Sequence, residues 1–288
     1  MQTRQRNTLA IQRQPEFFRD TTTAGVIISQ NWAASYKPRE ANVRAMPAVE
    51  TSDLGKEYGD VVALEGLDLA VERGELYGLL GPNGSGKTTT IEILTGQRTP
   101  TSGAATVLGI DPVADPVDVR REIGILPERE DPPSFLTPRE YLEFVGEIRD
   151  IGAIDERIDR WAGKLDFRGI LDTLSADLSE GERQRVMLAQ VFIHEPELAF
   201  IDEPLVNLDP LMQAEVKDQL VAYCEAGNTL FLSTHFVEVA EQLCTEIGII
   251  ADGELVAERD PQYLEEGLLA TFEESVGGAE EPVEVSGQ

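Results

Sequence analysis

Nine consecutive residues, Gly81-Pro82-Asn83-Gly84-Ser85-Gly86-Lys87-Thr88-Thr89, carry the plainest chemistry in this 288-residue chain. The first eight fit G-x-x-x-x-G-K-[ST], in which glycines let successive backbone N–H groups converge on phosphate oxygens. Residues Glu75 to Leu80 ahead of the run read as a short strand, and Lys87 to Leu94 behind it as a helix ended by Gly96. A strand–loop–helix setting is what the pattern requires, because a helix N-terminus adds favourable partial charge for an anion. Lys87 is then placed to reach the β- and γ-phosphates of a nucleoside triphosphate such as ATP, and the Thr88 hydroxyl to ligate Mg²⁺. Asp202 and Glu203 follow the apolar run Leu198-Ala199-Phe200-Ile201. A carboxylate at the end of a buried strand can hold the same Mg²⁺ through water, which leaves Glu203 to polarise the water that attacks the γ-phosphate. In a chain with 53 acids an acidic strand end is ordinary by itself. Next to a phosphate loop it becomes a candidate for hydrolysis.

A rarer signal is Leu178-Ser179-Glu180-Gly181-Glu182-Arg183-Gln184-Arg185. The order Leu-Ser-x-Gly-x-x-Gln-Arg resembles the signature sequence of ABC-type ATPases. In that family the signature caps a nucleotide held by a partner subunit, so the resemblance implies a dimer with Ser179, Gly181 and Glu182 against the partner's ATP. Several further roles follow from the resemblance alone. His235, in Ser233-Thr234-His235, would contact the γ-phosphate and help position the attacking water. Tyr58, 23 residues ahead of the loop, would stack on adenine. Asp209, in Asn207-Leu208-Asp209, would lie in the loop that crosses the dimer interface. Glu128, in Leu126-Pro127-Glu128, would ligate Mg²⁺ and sense the membrane partner. Two positions depart from the family pattern, since Glu128 and Glu182 both stand where glutamine is usual. A carboxylate at 128 can still bind the metal, but its charge is wrong for a neutral sensor.

The resemblance runs from about residue 49 to about 258 and implies an α/β fold: a P-loop NTPase core with a mainly parallel sheet, an antiparallel β subdomain and an inserted α-helical subdomain. The function it implies is the ATP-binding and ATP-hydrolysing subunit of a transporter. Two copies, or this chain and a related ATPase subunit, would close on two ATP–Mg²⁺ and drive a separate polytopic membrane permease. The protein would then be cytoplasmic, peripheral on the inner face of the cell membrane. Details around Pro127-Glu128 and His235-Phe236-Val237-Glu238 look like the subfamily that serves exporter-type permeases. Two alternatives stand beside this reading. A soluble ABC-type ATPase acting on ribosomes or DNA usually duplicates the unit or adds long coiled coils or zinc modules. A P-loop phosphotransferase would share the phosphate loop but not the Leu178–Arg185 run.

The elements that must position these residues are visible in the pattern. Alternating segments near 47–54 and 61–71 read as paired strands with Gly59-Asp60 as their turn. Ala104 to Leu108 and Ile123 to Leu126 read as strands, and Leu198 to Ile201 and Thr229 to Ser233 as buried ones. From Thr137 to about Leu174 the period is helical, opened by Thr137 as N-cap, Pro138 at N1 and Glu140 at N3. Strands alternating with helices imply a parallel sheet covered on both faces. The ATPase domain is expected over 46–265, with its helical subdomain near 130–178 and an acidic, solvated tail over 266–288.

Composition narrows the partners. With 53 acids against 24 bases the formal net charge is −29, which argues against nucleic acid or an anionic bilayer as a general partner. So acidic a surface fits a halophilic, salt-rich cytoplasm, and would show as easier unfolding at low ionic strength. Residues 1–45 run the other way, with seven bases and three acids; they read as a disordered extension, either a basic arm or targeting peptide or a stretch ahead of a natural start at Met46. Cys224 and Cys244 have no metal-like spacing and read as buried free thiols. His194 follows the signature helix and reads as a group favouring that helix's C-terminus.

Overall fold

A computed structural model of the chain describes residues 46–128, 130–205, 208–263 and 267–277. The expectations for residues 1–45, and for the tail beyond 277, lie outside the described residues. Two sheets organise the rest. The smaller is antiparallel, in the order β2 (Val61–Val71), β1 (Val49–Tyr58), β4 (Ser102–Val107). The larger runs β5 (Ile123–Leu126), β6 (Leu198–Asp202), β7 (Thr229–Thr234), β3 (Leu76–Leu80), β8 (Glu246–Ala251), β9 (Glu254–Arg259). All its neighbours pair parallel except β8 and β9, which form an antiparallel hairpin at one edge.

Strands β3, β6 and β7 are buried at every residue, which is why their sequences are near-continuous apolar runs without alternation. Their register aligns Asp202 with Ser233 and Leu80 with Thr234. The phosphate loop and the acidic pair therefore leave the sheet at the same end, where the carboxyl ends of parallel strands leave a crevice. One core cluster packs the smaller sheet and α1 (Lys87–Leu94) against the large sheet through Leu67, Tyr77, Ile93 and Phe231. The other joins its opposite face to the helical half through Trp161, Phe192, Ile201 and Leu232.

The segment read as helical from 137 to about 174 is two helices and a 3₁₀ turn, with a second such turn just beyond it. These are α3 (Pro138–Ile148), α4 (Ile154–Lys164), and turns at Arg168–Ile170 and Ser175–Asp177. Asp150, Ala153 and Asp166 sit at φ of 53°, 54° and 49°. A left-handed residue past a helix closes it, so these three positions end one helix and shape the entry to the next. The cap at Thr137 is as expected, with Pro138 at N1. The signature opens α5 (Glu180–Phe192), and α6 (Pro210–Glu225) follows the acidic pair.

The first part of the expected solvated tail is instead α8 (Gly267–Gly277), whose Leu268 is fully buried. Leu268 donates its N–H to the Glu241 carboxylate on α7 (Val237–Leu243) at 3.3 Å. The apolar residues Leu268 and Phe272 precede the acids and dock the helix before charge dominates the sequence. Cys224 and Cys244 are free and buried, and burial pushes both thiols up. Among the described residues no helix is long and apolar enough to cross a membrane.

Candidate functional site

The loop between β3 and α1 is shaped from outside. Gly86 has φ 109°, and a Cβ there would meet the Ala63 carbonyl and Leu64 Cδ2 at 2.7 Å. A Cβ on Gly81 would run into the Ile250 carbonyl. The loop is thus wedged between β2 and the β8–β9 hairpin, and Gly253 fastens it by donating to the Ser85 carbonyl at 3.1 Å. Gly84, at φ 86°, has open space where a side chain would be. The buried Ser85 hydroxyl has no partner among the described residues, an orphan that suits a ligand oxygen.

Lys87 is 6% exposed, and its ammonium donates to the Gly81 and Pro82 carbonyls at 2.8 and 3.0 Å. Burial lowers its pKa, while the carboxylates of Glu203, Asp202 and Glu128 oppose that shift. Thr88 Oγ1 donates to Asp202 Oδ2 at 2.9 Å, and the Ser233 hydroxyl donates to Asp202 Oδ1. Burial raises the Asp202 carboxyl, the two hydroxyl bonds pull it back, and nearby Glu128 and Glu203 raise it further. Three carboxylates thus act on one buried ammonium, a surplus of negative charge that a cation would neutralise.

Among the described residues no group of three or more His, Cys, Asp or Glu is arranged to hold a metal alone. Thr88 and Asp202 fit a hard cation whose shell is completed by phosphate oxygens and water, the usual habit of Mg²⁺.

Glu203 is the most constrained side chain of the set. It is 8% exposed, with φ at 52°. Its carboxylate accepts from Thr234 Oγ1 at 3.1 Å and from the His235 backbone N–H at 2.9 Å. The His235 ring joins it through Nδ1 at 2.6 Å, and Phe236 packs on that ring at 3.9 Å between centroids. A fixed carboxylate bonded to an imidazole can take a proton from a nearby water and hold the water's orientation.

Strand pairing therefore brings Lys87, Thr88, Asp202, Glu203 and His235 together, with Glu128 close enough to act on Lys87 and Asp202. Ser233 and Thr234 belong to this group as well, each holding one of the two acids. Their signal was two hydroxyls at the end of a buried strand, just ahead of His235. Tyr58 ends β1, half-exposed, with Lys56 Nζ 5.0 Å and Arg98 Cζ 5.9 Å from its ring centre.

Other candidates have their polar groups engaged elsewhere. Asp209 caps α6, accepting from the Leu211 and Met212 N–H groups at 3.0 and 3.1 Å. Ser179 caps α5 in a reciprocal box with Glu182. The Ser179 hydroxyl donates to Glu182 Oε2 at 2.7 Å, the Ser179 N–H donates to the same oxygen at 2.8 Å, and Glu182 N–H returns a 3.4 Å bond to Ser179 Oγ. These bonds hold the Glu182 carboxyl below its ordinary pKa. Arg183 braces the same turn, donating to the Leu178 carbonyl and pairing with Asp131 at 3.1 Å.

His194 differs from its expectation. Burial, with Arg149 adding repulsion, lowers its pKa to about 4, so near neutrality the ring is uncharged and offers no cation to the helix end. Its Nε2 lies 3.0 Å from the Ile123 carbonyl, so the neutral ring carries its proton there and ties the end of α5 to β5.

The family model described as ABC transporter matches residues 64–206. An uncharacterized ABC transporter ATP-binding protein of Synechocystis is 36% identical over 252 residues, covering 83% of this chain and 69% of that protein. The Nod factor export ATP-binding protein I of Cupriavidus pinatubonensis is 36% identical over 233 residues, covering 79% and 71%. A bacterial ABC transporter cassette solved as a dimer superposes with a TM-score of 0.68 at 25% identity, covering 74% of this chain and 98% of the cassette.

Proposed function

The chain belongs to the ATP-binding proteins of ABC transporters, and from that premise we propose that it powers an exporter as one half of an ATP-closed pair of cassettes. The Nod factor export relative supports the direction of transport, and the dimeric cassette supports the pairing. The substrate path would lie in a separate membrane permease, which would place this chain at the inner face of the membrane. The partner cassette is a second copy or a related ATPase subunit.

The reading rests chiefly on Glu203, a buried carboxylate held by three donors at the same end of the sheet as Lys87 and Asp202. On binding ATP, the Lys87 ammonium exchanges its two loop carbonyls for β- and γ-phosphate oxygens, which compensates its burial. Thr88 and Asp202, with Glu128 nearby, would hold Mg²⁺, which would supply charge neutralisation at the phosphates. Glu203 accepts the proton of the attacking water, and His235 steadies Glu203 and the γ-phosphate. Tyr58 offers its half-exposed ring to adenine, and Lys56 and Arg98 keep cations near that face. Asp209 fixes the start of α6 so that the preceding loop can reach across the dimer interface. Ser179 and Gly181 close on the partner's ATP, and hydrolysis then reopens the pair.

The test is Glu203→Gln with ATP and Mg²⁺. Hydrolysis is expected to fall at least a hundredfold while a stable dimer accumulates, seen by sedimentation. A protein that stays monomeric at high concentration would remove the two-cassette reading.

A further inference from the structure

A serine hydroxyl has one hydrogen to give, and the hydroxyl of Ser179 gives it to Glu182 Oε2 at 2.7 Å. The same oxygen takes the Ser179 N–H at 2.8 Å, so the carboxylate grips both donors of the residue that is meant to meet a partner's phosphate. We propose that Glu182 is a positioning residue that latches Ser179 shut, so that closure on the partner's ATP must first pull the hydroxyl proton away from a carboxylate. The inference rests on the two-cassette reading above and adds an opposing element to it.

The physical argument concerns acceptor strength. An ionised carboxylate is a charge-assisted acceptor, roughly twice as strong as a neutral one. It also places a negative charge one bond from the hydroxyl that a triphosphate must approach. With glutamine at 182, the side-chain oxygen still accepts the Ser179 N–H, so the cap survives. The competition for the hydroxyl weakens, and the adjacent repulsion disappears.

The chain supplies its own control. Thr137 and Glu140 form the same box at the start of α3, with hydroxyl-to-carboxylate and N–H-to-carboxylate distances of 3.1 and 2.9 Å. Two copies of a chain with net charge −29 repel each other, so removing any acid relieves some general repulsion. Glu140→Gln measures that background.

The experiment uses the full chain carrying Glu203→Gln, with ATP and Mg²⁺, and compares Glu182→Gln with Glu140→Gln. The dimer dissociation constant comes from sedimentation, and ATP affinity of the monomer from nucleotide titration at low protein concentration. The expected result is a dimer about tenfold tighter for Glu182→Gln, little change for Glu140→Gln, and the same monomer affinity throughout. A dimer unchanged or weakened by Glu182→Gln overturns the latch, as does an equal tightening by Glu140→Gln. If Glu203→Gln never dimerises, with or without Glu182→Gln, the two-cassette reading itself fails and takes the latch with it.

Discussion

The chain builds one cap twice. At Thr137 a β-branched hydroxyl residue, a proline and a glutamate three positions on start α3; at Ser179 a serine and a glutamate at the same spacing start α5. Both boxes are reciprocal, and both helices are tied at their far ends to the start of β5. Arg149, after α3, donates to the Ile123 carbonyl at 3.4 Å, and His194, after α5, bonds the same carbonyl at 3.0 Å. The differences lie in what each end must do. Thr137 keeps a balanced box, with 3.1 Å out and 3.2 Å back. Ser179 is held tightly through its hydroxyl and loosely in return, at 2.7 and 3.4 Å. One local code serves stability at α3 and, on the two-cassette proposal, a binding surface at α5.

The largest separation between the two caps should come from deleting their hydroxyls and reading function. Ser179→Ala is expected to lower steady-state ATP turnover about tenfold to a hundredfold while leaving ATP affinity of the monomer unchanged. Thr137→Ala should leave turnover per folded molecule as it is. Equal losses in the two variants would break the contrast.

An intermediate effect concerns the far ends. His194 has its pKa depressed to about 4 from 6.5, so the unfolded chain binds the proton more readily between those values. The stability that neutral His194 contributes is therefore complete above about pH 6.5 and is lost as pH falls towards 4, by an amount on the order of 1–3 kcal/mol. The Arg149 tie keeps its charge throughout. Denaturant unfolding from pH 7 to pH 4 should show a smaller acid loss in His194→Gln, whose amide can make the same bond without titrating.

The smallest effect is the stability cost of the plain cap. Thr137→Ala should remove about 1 kcal/mol, a fall of about 2–4 °C in Tm for a domain of this size, measured by calorimetry. A loss of activity without this fall would mean that α3 does more than stand beside the signature helix.

Much of the candidate site was legible because its signals are local. A buried strand, a glycine-rich loop and a helix start fall within residues 75–94, and Leu198–Asp202 is a second apolar run ending in acids. The partners of those acids were not legible, since Ser233 meets Asp202 only through the register of two parallel strands. The bend of the helical half was hidden too. Asp150, Ala153 and Asp166 adopt positive φ; aspartate tolerates that conformation better than most residues, but in so acidic a chain it is too common to mark a break. The β8–β9 hairpin did carry a signal, Asp252-Gly253 between two β-rich runs, but it lies among segments with no chemical motif. His194 misled because exposure decides whether a histidine is a cation, and exposure is a property of the packed chain.

Glu203 holds a left-handed backbone, at a cost of about 1–2 kcal/mol for a residue with a side chain, and glycine or asparagine there would be under less strain. Relief of strain therefore favours replacement at this position, and what opposes it is the carboxylate's bonds to Thr234 and His235 together with its proposed role as proton acceptor. In a lineage whose cassette stopped hydrolysing ATP, drift would be expected to erode 203 early and leave the glycines of the phosphate loop, which shape the backbone itself, until late. The residue at this single position would then mark whether a descendant of this chain still works as an engine or survives only as a clamp.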